Sequence, residues 1–251
     1  MCFMKQRTKM YAMRCCNLLL LAGLVIVFFA CGSNGEDKQK NDEDKIPNKE
    51  AFEKQLQPLN VFNMGGVPAN DMDELMNTLQ KVYPNTKYAG EMSLVDSAYI
   101  KNDNKGNNRY WWSKLLPHLR KTTDIKHGIT LVIVNAEVCN WDKKSKGSHA
   151  NFGISSRGGH ISTVSYQRLK VNHRNNINDM MKVVIHELGH SVGGLVPNRE
   201  SDGGHCPNKN CLMQNAHGGF PYDGLITFCS SCRKVMKSKG FNLDTLQLKK
   251  R

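Results

Sequence analysis

From Leu18 to Ala30 the chain is apolar without a break, and from residue 32 to 50 it is almost wholly polar. Beyond residue 55 apolar and polar positions alternate with the periods of strands and helices. Leu59 to Met64 is a short apolar run that suits a strand. After Asn70, residues Met72, Leu75, Met76, Leu79 and Val82 recur at steps of three and four, which predicts a helix stopped by Tyr83-Pro84-Asn85. Thr86 to Met92 reads as the next strand. A second helix is expected over Asn108 to Leu119 with Tyr110, Trp111, Leu115 and Leu116 inward, and Pro117 leaves its end open. Ile129 to Val134 (ITLVIV), branched and uncharged, has the composition of a sheet interior. Asn151 to Ser156 and Ile161 to Tyr166 flank Arg157-Gly158-Gly159 and predict a hairpin. A helix then runs from near Asn176 to Ser191, and a Gly- and Cys-rich segment follows. Strands, one central helix and a Cys-rich end make one α/β domain, and no internal repeat is visible.

The apolar run at the start has a different use. Its thirteen residues rise about 20 Å as a helix, short of the roughly 30 Å hydrocarbon core of a bilayer. Preceded by Lys5, Arg7, Lys9 and Arg14, the run has the make-up of an export signal. It ends in Phe28-Phe29-Ala30-Cys31-Gly32, which resembles a bacterial lipobox in which Cys31 is acylated and becomes the new N-terminus. Residues 1–30 are therefore expected to be a lipoprotein signal peptide, with an uncleaved signal anchor as the alternative. Residues 31–54 are expected to be a flexible tether, because so polar a stretch cannot offset its ordering entropy by burial. The folded domain is expected over 55–251. These readings place the protein outside the cytoplasm, held to a bacterial membrane by a lipid and facing the periplasm or the cell surface.

Composition changes this picture little. Apolar residues make up 39% and charged residues 23% of the chain, ordinary for a globular protein. The formal charge of +13 raises the question of nucleic acid. Four of those charges belong to the leader, and the remaining +9 is scattered over 38–54, 101–126, 143–174 and 233–251. A dispersed basic surface of that kind is solvated rather than a nucleic-acid site.

The chemistry is concentrated near the C-terminus. His186-Glu187-Leu188-Gly189-His190 is an H-E-x-x-H motif. At positions i and i+4 of a helix two imidazoles stand on one face, about 5–6 Å apart, and can share one zinc ion. Glu187 between them is placed to take a proton from water. Met181, Ile185, Leu188 and Val192 follow helical spacing on the other side, so the motif lies on a packed helix. Gly193 can end that helix in a left-handed turn. His205-Cys206, Cys211-Leu212-Met213 and Cys229-Ser230-Ser231-Cys232 follow.

In this order, H-E-x-x-H-x-x-G, H-C-x4-C-x-M and C-x-x-C resemble the signature of the archaemetzincins, a branch of the metzincin metallopeptidases with a second zinc. The likeness covers about residues 58–235, specific over 186–232 and loose elsewhere, where Val164-Ser165-Tyr166-Gln167-Arg168-Leu169 is similar to the family's approach to the motif helix. The resemblance implies a metzincin-type single domain, a twisted mixed sheet with an active-site helix and a Cys-rich, zinc-stapled C-terminal part. It implies that His186, His190 and His205 hold a catalytic zinc with water in the fourth position. It implies that Glu187 is general base and then general acid, and that Met213 forms the turn beneath the metal. Cys206, Cys211, Cys229 and Cys232 would hold a second, structural zinc, and the 129–166 region would supply the edge strand that aligns an extended peptide. The activity so implied is hydrolysis of peptide bonds through a zinc-activated water, on a peptide or protein substrate.

The sequence departs from the family in places. Eleven residues (194–204) separate Gly193 from His205, where the family has two, so Asp202 is a competing third ligand. Export itself is a departure, since family members are mostly intracellular. Two disulfides are the alternative fate of the four cysteines in an exported protein. Outside the motif, His118, His127, His149, His160, His173 and His217 have no partner at ligand spacing. His217 and Tyr222 follow Met213 and are candidates to line the cleft, Trp111 and Trp112 read as core, and Cys139 as a buried leftover thiol. The alternative function is a non-catalytic, zinc-stabilised surface binding protein, which gives no reason for Glu187. Endopeptidase and aminopeptidase both fit the motif.

Overall fold

The computed structural model describes residues 56–94, 100–102, 108–123, 127–142, 147–156, 159–192, 205–214, 224–225 and 227–249. The expected leader, Cys31 and the tether lie outside these residues, as do 194–204, His217 and Tyr222.

The strands β1 (Leu59–Met64), β2 (Thr86–Met92) and β5 (Ile129–Val134) stand where the apolar pattern places them. Helix α1 (Ala69–Val82) joins β1 to β2 and buries Met72, Leu75, Met76, Leu79 and Val82, the stripe read from its three-and-four spacing. With β9 (Ile161–Ser165) and β8 (Gly153–Ser156) these strands form a five-stranded sheet of order β2-β1-β5-β9-β8. All run parallel except β8, which pairs antiparallel to β9 and forms the edge. β5 lies third in the order, and all six of its residues are buried. Leu131 and Ile133 join one core while Val132 and Val134 join the other, as the period of two requires.

The hairpin is therefore present but shorter than expected. Asn151 belongs to a preceding strand, β7 (Gly147–Asn151), and Tyr166 opens a short helix, α3 (Tyr166–Val171). The Ser165 side chain caps that helix by accepting the Arg168 N–H. A second sheet of order β3-β4-β6-β7 holds β3 (Ile100–Asn102), β4 (Asn108–Trp111), β6 (Glu137–Asp142) and β7. The helix expected from Asn108 thus starts four residues late. Asn108–Trp111 is drawn into parallel pairing with β6, and α2 runs over Trp112–Thr122. Trp112, Leu115 and Leu119 face its core, and Pro117 is inside α2 on its exposed side, where water can take the freed carbonyl.

Helix α4 (Ile177–Ser191) carries the H-E-x-x-H motif and is buried on nearly every side from Asp179 to Gly189. Asn176 caps it, accepting the Asp179 N–H at 3.0 Å. Asp179 in turn meets Asn176, Arg174 and Lys182. Helix α5 (Ser230–Ser238) follows the last cysteines. The chain then returns to α1, where Phe241 packs on Tyr83 at 4.7 Å between ring centroids and Asn242 N–H donates to Val82 O.

Candidate metal centre

The site lies between α4, the edge strand β8 and the segment 205–214. The helix brings His186 and His190 to one face, with their Nε2 atoms 3.1 Å apart. His205 completes a triangle, its ring centroid 5.3 Å from that of His186 and 4.8 Å from that of His190. One nitrogen from each lies within 4.8 Å of the others. Tetrahedral zinc with Zn–N bonds of about 2.0–2.1 Å sets N···N edges of about 3.3 Å, so the three imidazoles fit one ion with a position left open. Asp202, the competing ligand, lies outside the described residues. His205 itself stands with the other two imidazoles.

His186 is fixed at its other nitrogen. Its Nδ1 bonds the carbonyl of Leu212 at 2.6 Å. That bond calls for a proton on Nδ1 and leaves the Nε2 lone pair facing the centre. Burial, with smaller opposing and reinforcing effects from Leu212 and His205, lowers the His186 pKa to about 4, so the ring is neutral and ready to ligate. Leu212 leads into Met213, which is fully buried, and the Met213 carbonyl accepts the Cys206 N–H at 2.6 Å. The turn expected beneath the metal therefore ties the His186 ring to the strand-like segment that carries His205. Leu212 acts through its backbone, and no side-chain pattern in the sequence marks it.

Glu187 is 5% exposed and lies against β8. Burial pushes its pKa up to about 8, with the Ser155 hydroxyl pulling the other way. Ser155 Oγ donates to Glu187 Oε2 at 2.6 Å, and Ser162 Oγ donates to Glu187 O at 3.0 Å. Neither serine carries a motif; only the alternation of side chains along β8, which holds Ser155, and along β9, which holds Ser162, points them at the helix.

The four cysteines gather beside this centre. Their sulfurs lie within 4.8 Å of one another and none is paired in a disulfide. Cys206 Sγ and Cys229 Sγ are 3.7 Å apart. Zn–S bonds of about 2.3 Å set S···S edges of about 3.75 Å, whereas a disulfide needs about 2.05 Å, so the donor set fits a closed thiolate site. Cys211 Sγ accepts the N–H groups of Cys229 at 3.3 Å and Met213 at 3.5 Å. A hydrogen bond from Cys232, with those two N–H groups, lowers the Cys211 pKa to about 5 and raises that of Cys232.

Among the described residues, none of His118, His127, His160 and His173 joins a group of three potential ligands. Cys139 is buried away from the cluster, its thiol donating to Tyr110 O.

No family model and no curated protein matches the sequence. Solved structures do. The archaemetzincin of Methanopyrus kandleri superposes with a TM-score of 0.55 at 18% identity, covering 73% of this chain and 95% of that one. The archaemetzincin of Archaeoglobus fulgidus, solved with malonate, superposes with a TM-score of 0.50 at 20% identity, covering 70% of this chain and 98% of that one. The chain has the archaemetzincin fold.

Proposed function

We propose that the chain is a zinc-dependent peptidase in which His186, His190 and His205 hold the catalytic ion and Glu187 is the general base. The observation that carries this reading is the convergence of three imidazoles on one point, with a buried glutamate on the same helix next to the first of them. A site that only stapled the fold would need the imidazoles and not the carboxylate. When bound, zinc supplies a Lewis acid that polarises the scissile carbonyl and acidifies water. Glu187 accepts a proton from the attacking water and returns it to the leaving amine, so water adds across the C–N bond and both products leave complete. The Leu212 carbonyl keeps His186 in the ligating tautomer. β8, an edge with no strand on its outer side among the described residues, offers unpaired backbone groups to an extended peptide.

Cys206, Cys211, Cys229 and Cys232 hold a second, structural zinc in this proposal. Export and a lipid on Cys31 complete it, supported by the leader's composition and by Ala30-Cys31-Gly32. The similarity to archaemetzincins in fold supports a peptide or protein substrate.

Zinc per chain and cleavage of a mixed peptide library test the proposal together. About two zinc ions per chain are expected, with library cleavage lost and metal kept in Glu187→Ala. Zinc binding without cleavage of any peptide would leave a zinc-stabilised binding protein instead.

A further inference from the structure

Gly153 and Ser155 are two residues apart on β8, so they present the same face of the strand to α4. Glu187 fills the room that Gly153 leaves. A Cβ at Gly153 would stand 2.5 Å from Glu187 Cγ and 2.7 Å from Oε1, closer than a side chain tolerates. Two positions on, Ser155 Oγ lies 2.6 Å from Oε2 and also 2.8 Å from the Glu187 carbonyl. A hydroxyl has one hydrogen to give. Ser162 Oγ reaches the same carbonyl at 3.0 Å and is 3.0 Å from Ser155 Oγ. With the carbonyl served by Ser162, the Ser155 hydrogen is free for the carboxylate. Among the described residues, none donates a hydrogen bond to Oε1.

We propose that Gly153 and Ser155 form a cradle on the edge strand that fixes the Glu187 carboxylate in one orientation, with Oε2 tied and Oε1 presented for proton transfer. Both are positioning residues, and the role rests on the peptidase reading above. The cradle uses the same strand whose outer edge is open to an extended peptide. Base and substrate therefore share one support, and the distance between them does not depend on a loop.

The test uses the zinc-loaded protein and any peptide that the wild type cleaves. Losing a hydrogen bond to a charged group should cut kcat by about tenfold to a hundredfold in Ser155→Ala, with KM within about twofold. Zinc content should not change. Ser155→Thr, which keeps the hydroxyl, should recover most of the rate. Gly153→Ala should lower kcat similarly without removing any hydrogen-bonding group. Ser162→Ala, which leaves the Glu187 carbonyl to compete for the Ser155 hydrogen, should cut kcat less than Ser155→Ala does. A crystal structure of Ser155→Ala should show the Glu187 carboxylate turned away from β8. The cradle is overturned if Ser155→Ala and Gly153→Ala keep wild-type kcat while Glu187→Ala abolishes it, or if the carboxylate stays in place without the hydroxyl. Wild-type protein no more active than Glu187→Ala would instead remove the peptidase reading itself, and this role with it.

Discussion

At the residue scale, the two titratable groups at the heart of the site are pushed in opposite senses by the same burial. His186 falls to about 4 and Glu187 rises to about 8, because low polarity disfavours imidazolium and carboxylate alike. At pH 7 the metal-free protein therefore holds His186 neutral and Glu187 protonated. A dication among the imidazoles favours the carboxylate, so zinc should expel the Glu187 proton and draw none from His186 Nε2. Calorimetric zinc titrations in buffers of different ionisation enthalpy measure this. Wild type at pH 7 should release about one proton more than Glu187→Gln, and the difference should vanish by about pH 9, above the raised pKa. Protons from the cysteines appear equally in both proteins and cancel. Equal release at pH 7 would mean that Glu187 is already ionised without metal.

At the element scale, the segment 205–214 connects everything that the motif helix cannot supply alone. It brings His205 to the other two imidazoles, the Leu212 carbonyl to His186, and Cys206 and Cys211 as half of the four-sulfur group. Its backbone is stitched by Cys206 N–H to Met213 O and Leu212 N–H to Thr227 O. Removing one sulfur should free this segment and disturb a metal site that the mutated residue never touches. Cys232→Ser is expected to lower zinc from about two ions to less than one per chain and to abolish cleavage, with a fall in melting temperature. Metal analysis and activity on one preparation decide this, and a variant that loses one ion but cleaves normally would separate the two sites. The sequence made this arrangement readable where residue identity carries the chemistry. The His and Cys spacing, the buried run of β5 and the amphipathic α1 all stand as the pattern indicates. The misses have physical causes. Gly147–Asn151 has weak strand propensity and becomes β7 only through pairing with β6. Tyr110 and Trp111, read as one face of a helix, instead sit in a strand paired with β6. Helix α5 is short and basic, and follows the cysteine cluster. Leu212 and Gly153 act through a carbonyl and through an absent side chain, neither of which a residue pattern reports.

At the scale of the whole molecule, the proposed lipid on Cys31 raises the question of what would hold the protein at a membrane. No helix among the described residues is long and apolar enough to cross one. Two other forces would be available: the proposed lipid on Cys31 and the excess of basic residues, +9 beyond the four positive charges of residues 1–30. They differ in kind. Electrostatic attraction to anionic headgroups fades within a Debye length, about 3 Å at 1 M salt, whereas buried acyl chains are indifferent to salt and yield to detergent. A single acyl chain binds only marginally, so lasting attachment needs more than one chain or a second signal. In a bacterial host the full chain should therefore sediment with membranes, stay there in 1 M salt and dissolve in mild detergent. Cys31→Ala should appear in the soluble fraction with its zinc and its cleavage intact, because none of the proposed metal ligands lies in residues 1–31. Release by salt alone would assign attachment to the basic surface. A Cys31→Ala variant that still sediments in salt would mean that Leu18 to Ala30 remains in the membrane as an uncleaved anchor.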